Sequence, residues 1–97
     1  MNTKRYTNYL LRRIYKLCRD NPLPVTLQKH QWSGWTDWEQ IVIDPRKKVL
    51  ATFIHECLHV LYPDWLEGKV YETEKLMLHN MSNTQFKNLA KILLTLL

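Results

Sequence analysis

The sequence predicts a single α+β domain: an N-terminal helix, a small antiparallel or mixed sheet, and three further helices. Three observations carry this. Residues 3–19 place apolar side chains at helical spacing. Residues 25–30 and 38–43 are short runs with β-branched residues, separated by turn chemistry. From Asp44 onward the helical period resumes, interrupted at Tyr62-Pro63-Asp64 and Asn80-Met81. Ninety-seven residues allow one domain, spanning 1–97.

The first helix is amphipathic, with Tyr6, Leu10, Ile14 and Leu17 as its core stripe. Asp20-Asn21-Pro22 ends it, and Pro22 and Pro24 force an extended connection. Val25 to His30 reads as a strand, Ser33-Gly34 as a turn, and Trp38 to Ile43 as a second strand whose apolar end implies burial on both faces. A hairpin or small curled sheet follows. Asp44-Pro45 is a helix-start pattern, with Asp as cap and Pro at the first helical position. That helix should run to Leu61 and bury Leu50, Phe53, Ile54, Cys57, Leu58 and Leu61. A third helix is expected over Trp65–His79. The last begins at the capping box Ser82-Asn83-Thr84-Gln85, with Phe86, Leu89, Leu93 and Leu96 as its core stripe.

Composition bounds the function. The hydrophobic fraction of 45% is globular, and no apolar run is long enough to span a bilayer. Arg12 and Arg13 interrupt the apolar run that a signal peptide would need, so a cytoplasmic protein with no membrane partner is expected. Two cysteines, Cys18 and Cys57, are too few for a disulfide framework and read as free buried thiols. The net charge is +5, and Arg5, Arg12, Lys16 and Arg19 share one face of the first helix. That face is a candidate nucleic-acid contact, although a solvated face opposite the core has the same pattern.

The chemistry lies in His55-Glu56-Cys57-Leu58-His59, an H-E-x-x-H pattern. Residues i and i+4 of a helix share a face, so the two imidazoles can bind one Zn²⁺. Glu56 then stands where its carboxylate can act as general base on a water at the metal. Thr52, His55 and His59 line a different stripe from the apolar one, so the ligands should face a cleft. Catalytic zinc usually takes three protein ligands. Glu67, eight residues after His59 and beyond a sharp turn, is the first choice for the third. Glu74 follows on nearly the same face, Glu72 points elsewhere, and His79 sits at a helix end. Asp64-Trp65-Leu66-Glu67 also matches a capping box, a role that competes for the Glu67 carboxylate. Tyr71, one turn after Glu67, is a candidate hydrogen-bond donor to a developing oxyanion, as is Tyr62; both also suit plain wall residues. His30 reads as a surface residue. Trp32, Trp35, Trp38 and Trp65 could line a substrate groove or stack on single-stranded bases, or simply pack the core and its rim.

The block Ile41-Val42-Ile43-Asp44-Pro45, Ala51 to His59 and Pro63 to Val70 resembles the small zincin-like metallopeptidases, particularly short ones of phage and bacterial genomes. In such families a strand precedes the H-E-x-x-H helix and a Glu on the next helix completes the zinc site. Trp65-Leu66-Glu67-Gly68 looks like the glutamate-bearing stretch of gluzincins, which favours Glu67. ImmA/IrrE-like proteins, which pair such a site with phage or stress regulation, and SprT-like proteins, which act near DNA, are more distantly similar. The resemblance implies a minimal zincin fold and hydrolysis of a peptide or protein substrate, with Glu56 as general base. Two other readings compete: a non-catalytic zinc-binding interaction module, and a basic nucleic-acid-binding protein using the first helix.

Overall fold

The computed structural model describes residues 2–29, 34–45 and 48–97. Four helices and a three-stranded mixed sheet follow in the order α1 (Thr3–Asp20), β1 (Val25–Leu27), β2 (Gly34–Thr36), β3 (Ile41–Ile43), α2 (Val49–Leu61), α3 (Glu67–Asn80) and α4 (Asn83–Leu96). The α+β class and the helix count agree with the expectation.

Asn2 caps α1, its side chain accepting from the Arg5 amide at 3.1 Å. One face of α1 enters the core through Leu10, Leu11 and Ile14; Tyr6 and Leu17 pack at its margin. Ser82 caps α4 in the expected box: its hydroxyl accepts from the Gln85 amide, and the Gln85 side chain accepts from the Ser82 amide. The Gln85 amide group also donates to Asn8 at 2.7 Å, which ties α4 to α1. Leu89 and Leu93 are buried, while Phe86 and Leu96 are partly so. The core joins all four helices to the sheet through Leu10, Ile14, Ile43, Phe53, Leu58, Met77 and Leu89, each fully buried. Truncating such a side chain to Ala typically costs about 2–5 kcal/mol.

The sheet differs from a simple hairpin. Its order is β1-β3-β2, with β1 parallel to β3 and β2 antiparallel to it. The first predicted strand stops at Leu27; His30, Trp32 and Ser33 lie outside the described residues. The second shrinks to Ile41–Ile43, the central strand, buried throughout. Gly34 opens an unexpected strand instead of closing a turn. The reason is long-range: β2 crosses α2 so closely that a Cβ on Gly34 would stand 2.3 Å from the Thr52 methyl and 3.3 Å from Glu56 Cγ.

Two predicted helix starts also move. Asp44 is fully buried and Pro45 lies in a turn; α2 begins at Val49 with Lys48 as its cap residue. The chain must leave the buried central strand before it can coil, and that delays the helix by a turn. Likewise α3 starts at Glu67, not Trp65, with Leu66 at the cap position and no side-chain cap. The Asp64–Glu67 capping box does not form, because the Glu67 carboxylate is held by two imidazoles. Cys57 is buried as expected, whereas Cys18 is half-buried; both thiols are free, and Cys18 neighbours Cys57 where α1 packs on α2. No helix among the described residues is long and apolar enough to cross a membrane.

Candidate metal centre

Helical spacing on α2 sets His55 and His59 one turn apart, their ring centroids separated by 4.9 Å. The core stripe of Phe53, Ile54, Cys57 and Leu58 fixes the rotation of α2, so the histidines open sideways into a cleft. The Tyr62-Pro63-Asp64 break then folds the chain back, and the first residue of α3 arrives over the imidazoles. Glu67 Oε1 lies 2.5 Å from His55 Nε2, and Oε2 lies 2.9 Å from His59 Nε2. Two imidazole nitrogens and one carboxylate oxygen from these residues lie within 4.8 Å of one another. This group could hold a metal ion, and a two-His, one-Glu donor set is one that suits catalytic zinc.

Glu74 has a different place. Its Oε1 stands 3.0 Å from His55 Nδ1, on the outer edge of the ring. A carboxylate there accepts the Nδ1 proton and leaves Nε2 to face Glu67 and His59. Burial pulls the His55 pKa down, but the Glu74 hydrogen bond and the charges of Glu67 and Glu56 outweigh it, so it lies above the ordinary value. Glu72 is exposed and turned to a separate surface depression beside Tyr6 and Trp65. His79 is likewise exposed, and neither it nor Glu72 is among the residues that line the cleft.

Glu56 lines the same cleft with only 6% of its surface exposed. Burial raises its carboxyl from 4.5 to about 7, aided by the negative charges of Glu67 and Glu74 and opposed by His55. A carboxyl poised near neutrality can both take and return a proton. Tyr71 stands across the cleft, half exposed, its ring centroid 6.0 Å from that of His55 and with Lys75 Nζ over its face.

The cleft measures about 900 Å³, with β2 as its far wall. That wall was the feature least readable from sequence. Gly34, Trp35 and Thr36 line it, and Trp38 closes one end. Trp38 has φ 69°, in the left-handed region that costs a bulky residue about 1–3 kcal/mol. A dense set of bonds holds it there. Asp37 Oδ1 accepts from the Glu39 and Gln40 amides, Thr36 Oγ1 accepts from the Trp38 amide, and the Trp38 indole N–H donates to the His59 carbonyl at 3.1 Å. Asp37, a residue that readily bonds its own backbone two residues on, was the local signal for this turn.

The tryptophans therefore divide. Trp35 and Trp38 line the cleft, whereas Trp65 stacks on Tyr62 at 4.1 Å with Lys69 Nζ on its face. Arg5, Arg12, Lys16 and Arg19 all lie on α1, away from the cleft. No family model matches the chain, and no curated protein or solved structure matches it.

Proposed function

We propose that this protein is a zinc-dependent metallopeptidase of minimal zincin type. The observation that carries the reading is the convergence of His55, His59 and Glu67 on one point beside the buried Glu56. Among the described residues the group has three members, and its remaining side gives onto the cleft, which suits catalytic more than structural zinc. Zinc bound there supplies Lewis acidity, acidifying water and polarising a peptide carbonyl.

The chain's own residues do the rest. Glu56 takes the proton of the attacking water and later delivers a proton to the leaving amine, the two halves of general acid–base catalysis by one carboxyl. Glu74 orients His55 through Nδ1. Tyr71 stands at the cleft wall as a candidate donor to the carbonyl oxygen. Trp35 and Trp38 supply apolar surface for a peptide side chain.

Metal analysis of protein purified without chelator or metal-binding tag tests the first half. About one zinc per chain is expected, lost in His59→Ala. Absence of zinc, with no rise in Tm on adding it, sinks the reading. Hydrolysis of an unstructured protein such as casein tests the second half. Glu56→Gln should retain zinc and lose hydrolysis; full activity in that variant excludes the proposed base.

A further inference from the structure

We infer that the outer face of α1 is a docking surface for the phosphate backbone of duplex nucleic acid, independent of the metal centre. The argument begins with charge placement. Lys4, Arg5, Arg12, Arg13, Lys16 and Arg19 lie on α1 against a single carboxylate, Asp20. Five net positive charges thus sit on one helix, as many as the whole chain carries (+5), and the remainder is neutral. Segregation this complete is not needed for solubility, which a mixed surface provides equally well.

Arg5, Arg12, Lys16 and Arg19 form a narrow stripe opposite Leu10 and Ile14, which are fully buried. None of the four is buried. Arg19 pairs with Asp20 at 2.8 Å; among the described residues Arg5, Arg12 and Lys16 are in no ion pair. Arg5 and Arg19 are fourteen residues apart, about 21 Å of helix axis, over which a duplex presents roughly a dozen phosphates.

Two features select this partner. The neighbouring aromatics form no open platform for successive unpaired bases: Tyr62 and Trp65 stack on each other, Arg13 covers Tyr62 and Lys69 covers Trp65, while of the α1 rings Tyr9 alone is exposed, lying parallel to that of Tyr6 at 6.5 Å. A rigid line of cations beside a single exposed ring reads backbone and not bases. The apolar face of α1 is committed to the core, so the helix cannot turn over and insert into a lipid surface. Cys18 contacts Cys57, on the side of α2 away from the histidines, so α1 covers the back of the metal helix. A duplex on the far side of α1 leaves the cleft open.

Fluorescence anisotropy with a labelled duplex DNA of about 20 base pairs tests this, with and without EDTA. Binding is expected at low salt, with log K falling against log salt at a slope of about −3 to −4 for four phosphate contacts. Two unrelated duplex sequences should bind alike. The triple variant Arg5→Gln, Arg12→Gln, Lys16→Gln should lose at least about tenfold in affinity and about 2.7 in slope. Gln keeps helix propensity at these positions, and circular dichroism checks the fold. Lys29→Gln, Lys87→Gln, Lys91→Gln removes the same charge elsewhere and should leave affinity within about twofold. Equal losses in the two variants, a flat salt response, or no binding at low salt overturns the proposal. Binding to anionic phosphatidylglycerol vesicles in place of DNA overturns it as well.

Discussion

Glu74 Oε1 stands 3.0 Å from Nδ1 of His55, while Nε2 of the same ring faces Glu67. One imidazole is thereby held between two carboxylates of α3 seven residues apart, two helical turns. The outer one lies against Nδ1, and the inner one belongs to the His55, His59 and Glu67 group that could hold a metal ion. Glu74→Ala should therefore weaken zinc about 10–100-fold without abolishing binding. Glu74→Gln, which can still accept the Nδ1 proton through its carbonyl oxygen, should recover part of that loss. Competition with a chromophoric chelator measures both; unchanged affinity in the Ala variant removes Glu74 from the site.

Glu67 and Glu72 are both exposed carboxylates on α3, and only Glu67 meets the histidines. Glu67→Ala should cost more zinc affinity than Glu74→Ala, and Glu72→Ala should cost none. In Tm measurements, zinc at a hundredfold excess over Kd stabilises a folded protein by about 2.7 kcal/mol. That gain should vanish in Glu67→Ala and persist in Glu72→Ala. The reverse pattern would make Glu72 the ligand and require α3 to rotate.

Gly34 is where β2 meets α2. A Cβ at this position would stand 2.3 Å from the Thr52 methyl, which cannot be tolerated without movement. Gly34→Ala should destabilise by about 1–3 kcal/mol through overpacking. Thr52→Ser deletes that methyl, so the double variant should recover much of the loss in urea unfolding. Simple additivity of the two substitutions would refute the clash.

The metal-free protein should lose stability as pH rises from about 4.5 to about 7. Across that window folded Glu56 keeps a proton that the unfolded chain has released. The native state then binds more protons, and the unfolding free energy falls with pH. His55 acts in the same sense, since its folded pKa also lies above the ordinary value: its contribution is present at low pH and lost as pH rises through the folded value. Urea titrations in EDTA at several pH values read the slope, which Glu56→Gln should flatten. An identical slope in wild type and variant would assign the titration elsewhere.

Local pattern was sufficient for the helices and for the chemistry on one of them. Periods of 3.6 residues, the proline breaks and the Ser82 capping box act within a few residues, and His55, Glu56 and His59 belong to little more than one turn of α2. Choosing among Glu67, Glu72 and Glu74 needed the crossing of α3 over α2, because spacing alone could not say which carboxylate meets the imidazoles. The capping box at Asp64 lost to a pair of imidazoles on another helix. Asp44 lost its cap role to the turn out of a buried strand. Strand β2 was hidden for the same reason: three residues, one of them glycine, carry almost no periodic signal, and their strand character comes from pairing with β3 and from closeness to Thr52. Short-range energetics are written in neighbouring residues, whereas a cleft is made by segments that meet only after the core has closed.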